Sequence, residues 1–171
     1  MKKFKEFIIS ESYNPSYEEV MIGIFNKALR DELEASINYK IMAEQIVGPG
    51  INAIKQELLD HSKEEFEHFN QFVSYASDHD FLERVEFSIR TEMVNPKDLP
   101  TNVDGIVEFT QNLEMDAYND YKNAAVIAEE EGDMETRMFF EELMKDEMGH
   151  YDDVSNLSPN SKPRKLNEEK E

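Results

Sequence analysis

Two short motifs in this chain set an imidazole three residues after a carboxylate: Glu65-Phe-Glu-His68 and Glu147-Met-Gly-His150. On a helix that spacing puts both side chains on one face. One such motif says little in a chain this rich in glutamate. Their register says more. The offset from Glu65 to Glu147 is 82 positions, and the same step carries His68 to His150 and Glu32 to Glu114. Ala35, Tyr39 and Lys40 likewise fall on Ala117, Tyr121 and Lys122. The chain reads as an internal repeat whose unit carries one lone glutamate and one Glu-x-x-His.

Each of these ionisable residues interrupts an otherwise apolar stripe, so the expectation is that all six point inward. Four carboxylates in a dry core repel one another and lose their hydration, at a cost of many kcal/mol or of forced protonation. Two divalent cations would neutralise them. Glu65 and Glu147 would then bridge the pair, while Glu32, Glu114, His68 and His150 each cap one ion. Oxygen and imidazole donors suit iron or manganese, with zinc a competitor. The competing reading leaves Glu32 and Glu114 on solvated faces and the histidines as hydrogen-bonded core residues; the shared register argues against it.

The elements that must position these residues are bounded by scarce glycine and proline, six of each. Ser16 with Glu19 forms a capping box, and the helix from Tyr17 carries Phe25, Leu29, Ser36, Tyr39, Ala43 and Ile46 on one face before Gly48-Pro49-Gly50 stops it. A second helix, Ile51 to about Ser77, aligns Ile54, Leu58, Phe69, Phe72 and Ala76. A third, from about Val103 to Glu131-Gly132-Asp133, aligns Val107, Thr110, Ala117, Tyr121 and Ala128. A fourth aligns Phe140, Leu143, Val154 and Leu157. Glu32 lies 17 residues before Pro49 and Glu65 lies 16 after it; Glu114 and Glu147 are 18 and 15 residues from Gly132. Both pairs therefore sit at matched heights in antiparallel hairpins.

Between the hairpins, Asp78 to Asn102 contains Pro96, Pro100 and a short alternating piece, Val85 to Ile89. A linker of this length spans helices of about 40 Å. The predicted fold is all-α: a four-helix bundle of two antiparallel hairpins joined by a long crossover. Residues 1–15 read as an N-terminal extension, 16–157 as the bundle, and 158–171 as a polar tail with nothing to bury.

With 38 acidic and 18 basic residues the formal net charge is −20, which disfavours nucleic acid and anionic membranes and favours cations. The absence of cysteine excludes disulfides, thiolate zinc sites, iron–sulfur clusters and rubredoxin modules. The N-terminal apolar run, Phe7 to Ile9, is too short for a signal peptide or membrane span, which predicts a cytoplasmic protein.

From Tyr17 to Leu157 the pattern resembles bacterioferritins and bacterioferritin-like miniferritins of the ferritin-like superfamily. The resemblance rests on Asp31-Glu32-Leu33 through Tyr39, Glu65-x-x-His68, Leu113-Glu114-Met115-Asp116 and Asp146-Glu147-Met148-Gly149-His150. It implies a ferroxidase centre: two Fe(II) ions bind per subunit, dioxygen or hydrogen peroxide takes their electrons, and ferric iron passes into the cavity of a homo-oligomeric cage. In bacterioferritins a methionine following the second-helix glutamate ligates haem between subunits; here that residue is Phe66, so no haem is expected. The large cages also carry a short fifth helix, and the polar tail here implies a smaller assembly, on the order of twelve subunits.

Rubrerythrins, peroxide-reducing enzymes of the same fold, carry a further carboxylate one turn after the third-helix glutamate, where this chain has Ala117. A small di-metal peroxidase without storage is the alternative function. A bundle that metal merely stabilises, as a structural or virion-packaged protein, is another. Tyr39 is placed either to donate an electron to the oxidised metals or simply to fill the core. Asp60, His61 and Glu64 read either as an iron entry or nucleation cluster or as a solvated face. Met115, Met144 and Met148 read as packing residues. MKKFKEFIISE is similar to the capsid-targeting leader of internal head proteins in T-even-type bacteriophages, cut after a glutamate such as Glu11. The plain alternative is an amphipathic extension with Phe4, Phe7 and Ile8 docking on a neighbouring subunit.

Overall fold

The structure, a computed structural model, describes residues 15–85 and 95–157. The expected N-terminal extension and leader, residues 86–89 of the alternating piece and the expected polar tail lie outside them. The described residues form four long helices: α1 Tyr17–Gln45, α2 Asn52–Asp78, α3 Val103–Glu130 and α4 Met134–Leu157, with a 3-10 turn at Leu82–Arg84.

Local chemistry sets the helix ends. The capping box forms as read: Ser16 Oγ accepts from Glu19 N at 3.3 Å while Ser16 N donates to Glu19 Oε2 at 2.9 Å. The α1–α2 turn needs left-handed backbone at Gly48 (φ +136) and Gly50 (φ +73), which a side chain would strain. Asn102 Oδ1 accepts from Gly105 N at 2.9 Å to start α3, and Asp133 Oδ1 accepts from Thr136 N at 3.0 Å at the start of α4.

The topology follows from contacts at the helix ends. Tyr17, at the start of α1, donates through its hydroxyl to Asp133 just before α4 at 2.8 Å, and Val47 N, just past α1, donates to Thr101 O just before α3 at 3.0 Å. α1 and α3 are therefore antiparallel. The Tyr75 and Thr136 hydroxyls meet at 2.7 Å, joining the end of α2 to the start of α4. Since α1 is also antiparallel to α2, α2 and α3 run the same way, as a long crossover requires. α1 packs on α2 and α3 on α4, and the hairpins meet through α1–α3 and α2–α4.

The interior is divided. At one end Phe25, Phe72, Tyr121, Phe140 and Leu143 form an aromatic-rich core, with Phe25 edge-on to Phe72 at a centroid distance of 5.1 Å. At the other end Tyr39, Met42, Leu58, Ile106 and Val154 form a second core. Burying each large apolar side chain contributes about 1.5–3 kcal/mol. These two cores hold the helices at a fixed separation on either side of a polar middle.

Candidate metal centre

The polar middle contains the six residues singled out by the repeat. Glu32 comes from α1, Glu65 and His68 from α2, Glu114 from α3, and Glu147 and His150 from α4; none is more than 6% exposed. His68 Nδ1 lies 3.1 Å from Glu65, 3.2 Å from Glu147 and 3.5 Å from Glu32. His150 Nδ1 lies 3.1 Å from Glu65, 3.7 Å from Glu114 and 3.9 Å from Glu147. The ligand atoms divide into two groups, each within 4.8 Å: Glu32, Glu65, His68 and Glu147, and Glu65, Glu114, Glu147 and His150. Glu65 and Glu147 belong to both, which is the geometry of bridging positions.

Each histidine turns Nδ1 to this cluster and Nε2 outward. His150 Nε2 donates to Glu64 at 3.0 Å, and His68 Nε2 faces Asp146 at 3.5 Å. An outer carboxylate on the far nitrogen fixes the ring plane and directs the near lone pair at an ion. Glu64 and Asp146 are themselves related by the 82-position step, each serving the histidine of the other hairpin. Sequence reading missed this role; the repeat pairs the two residues, but which histidine each one meets is set by the packing of the hairpins. Of Asp60, His61 and Glu64, open to reading as an entry cluster or as a solvated face, His61 and Glu64 present ligand atoms within 4.8 Å of each other and of His150, and Asp60 belongs to no such group among the described residues. Asp60 is half-buried and bonded to Lys63 at 2.6 Å and Gln56 at 2.8 Å, whereas His61 is 1% exposed and lies on no solvated face. The α2 stripe Ile54, Leu58, His61, Glu65, His68 and Phe72 explains the difference, because His61 follows its inward spacing and Asp60 does not.

Electrostatics at the centre are those of a site short of positive charge. Burial, then the charge of Glu65, pushes the Glu32 carboxyl well above its ordinary range; burial, then Glu65 and Glu32, does the same to Glu147. Burial opposes the histidinium form, yet Glu147, Glu32 and Glu65 raise His68 strongly, and Glu114 and Glu65 raise His150 to about 11. Burial also works against the Glu65 carboxylate, but the two imidazoles hold its pKa well below the usual value. Protons thus supply the positive charge that cations would supply instead. Glu65 Oε1 and His150 Nδ1, 3.1 Å apart, and Glu147 Oε1, 3.2 Å from His68 Nδ1, are close enough for ion pairing but lack the alignment of a hydrogen bond. A donor set of four carboxylates and two imidazoles, with unsatisfied lone pairs aimed inward, fits two divalent ions of oxygen and nitrogen preference.

The Tyr39 hydroxyl donates to Glu114, so Tyr39 is at once a fully buried core residue and a neighbour of the centre; burial first and the Glu114 charge second raise its pKa well above the ordinary value. A cavity of about 520 Å³ between α1 and α3 reaches Glu32, Glu65, Glu114 and Glu147 from the side. Lys27 spans its lining, pairing with Asp31 at 2.5 Å and with Asp120 of α3 at 2.6 Å. Met115, Met144 and Met148 are half-buried, in keeping with packing. Among the described residues no helix is long and apolar enough to cross a membrane.

The sequence profile of the ferritin-like domain matches residues 22–160. Among solved structures, the bacterioferritin of Rhodobacter capsulatus is similar with a TM-score of 0.63 at 22% identity, over 84% of this chain and 85% of that one. It is described as having a metal-free dinuclear site and haem iron. Identity this low shows a common fold alone. No curated protein sequence matches the chain.

Proposed function

The chain belongs to the ferritin-like domain family, and on that footing we propose that it is a di-iron ferroxidase, taking Fe(II) as substrate for storage or detoxification in a homo-oligomeric cage. The observation that carries this reading is the double membership of Glu65 and Glu147 in two buried four-residue groups, each completed by one glutamate and one histidine. Glu32, Glu65, His68 and Glu147 hold one ion, and Glu65, Glu114, Glu147 and His150 the other. Bound iron supplies the electrons: two Fe(II) give two electrons to dioxygen, which with two protons leaves as hydrogen peroxide, or to hydrogen peroxide, which with two protons leaves as water.

The protein's own part is positional and electrostatic. Glu64 and Asp146 hold the imidazoles in register, and Tyr39 fixes one oxygen of Glu114 so that the other is presented to the ion. When ions enter, the protons on Glu32, Glu147 and the histidines are displaced, so binding releases protons and tightens as pH rises. The carboxylate-floored cavity between α1 and α3 gives a cation a route inward. Manganese or zinc compete for the same donors. Phe66 is 45% exposed on α2 and offers no ligand atom, so the reading includes no haem there, and a Soret band in the purified protein would contradict that part.

The test is to add Fe(II) and air, or hydrogen peroxide, to metal-free protein while following ferric absorbance and particle size. Many iron atoms retained per chain are expected. Peroxide turnover without retained iron would instead support a peroxidase, and no absorbance change would leave only a structural role for metal.

A further inference from the structure

One turn before Glu65 the α2 stripe carries another ionisable residue that the six-residue centre does not use. His61 packs ring against ring with His150 at a centroid distance of 4.3 Å and edge-on to Tyr39 at 5.6 Å, and neither ring nitrogen has a hydrogen-bond partner. An imidazole buried in this way gives up its hydration and recovers no bond for it. Its Nε2 lies 3.4 Å from Glu57 Oε1, and Glu57, His61 and Asp153 present ligand atoms that all lie within 4.8 Å of one another.

Neither the fold nor the repeat asks for polar residues here. The 82-position step carries Glu57 to Phe139 and His61 to Leu143, which pack in the aromatic-rich core, and it carries Gln71 to Asp153. One end of the bundle fills these positions with two apolar groups and an amide; the other fills them with an imidazole and two carboxylates. Like charges crowd that end, since burial and then Asp153, Asp60 and Glu64 raise the Glu57 carboxyl.

We propose that Glu57, His61 and Asp153 form a third, mononuclear site for a divalent transition-metal cation, sharing no residue with the six-residue centre. One imidazole nitrogen with two carboxylates suits Fe(II), Mn(II), Co(II) or Zn(II) and leaves coordination positions for water. Glu57 is half-buried and Asp153 exposed, so the ion arrives from solvent at the α2–α4 face. The site stands whether or not the neighbouring centre oxidises iron.

Cobalt(II) is the probe. In crystals of the full chain soaked in cobalt chloride, an anomalous peak among Glu57, His61 and Asp153 is expected whatever the occupancy of the six-residue centre; no peak there overturns the proposal. A missing peak at the six residues alone would count against the ferroxidase reading and not against this one. In equilibrium dialysis, His61→Leu, which installs the residue already present at the equivalent Leu143, should bind one cobalt fewer per chain, and Asp153→Asn at the exposed ligand should do the same. An unchanged count in either variant, with thermal unfolding showing it folded, refutes the site.

Discussion

Glu147→Gln is expected to make the metal-free protein more stable while disabling its centre. Glu147 is 1% exposed, and burial together with Glu65 and Glu32 raises its pKa well above the ordinary 4.5. A carboxyl raised on folding contributes fully only below its unfolded value, and that contribution is lost as pH climbs toward the folded one. Above 4.5 the loss accrues at about 1.36 kcal/mol for each pH unit over which the fold keeps Glu147 protonated. Glutamine matches the protonated acid in shape and needs no proton. Metal-free Glu147→Gln should therefore be more stable at pH 7 than the unsubstituted chain, each kcal/mol gained raising Tm by roughly 2–4 °C for a chain of this size. The gain should shrink toward zero near pH 4.5. Under saturating Zn(II) the order should reverse, because a bridging carboxylate is gone. Urea unfolding from pH 4.5 to 7, with chelator and with metal, measures both arms. A metal-free variant that is less stable at pH 7, or a gain that ignores pH, would refute the electrostatic account of the centre.

Removing the outer carboxylates should weaken metal binding by about 10–100-fold in competition titrations. Glu64→Gln should cost more than Asp146→Asn, because its contact is 3.0 Å against 3.5 Å. Tyr39→Phe leaves a buried oxygen of Glu114 without its donor and should lower stability by about 1–3 kcal/mol in chemical denaturation. His61 gives an acid-range test. Burial first and His150 second lower its pKa from 6.5 to about 4, so as pH falls through that window the unfolded chain takes up the proton first and the fold loses up to about 3 kcal/mol. Metal-free His61→Leu should lack that share of the loss, visible as a flatter dependence of unfolding free energy on pH between 7 and 4.

The four helices were legible in the sequence because their signals are local. A serine–glutamate capping box, two left-handed glycines around Pro49 and a 3.6-residue apolar stripe each act within a few residues, and the observed helix ends fall within three residues of those signals. The convergence of Glu32, Glu65, His68, Glu114, Glu147 and His150 was legible for another reason. An internal repeat of hairpins places equivalent residues at equal heights, so one offset predicts which side chains meet. That offset also pairs Glu64 with Asp146, yet their task depends on which histidine each one faces, and the faces cross between hairpins. The two apolar cores and the packing of α2 on α4 decide that. The same packing buries His61, leaves neighbouring Asp60 only half-buried, and brings Asp153 of α4 to Glu57 and His61 of α2. Spacing along one helix can say which way a residue points, but only the packed bundle says which charges from other helices it will find there, and whether water is left to hydrate them.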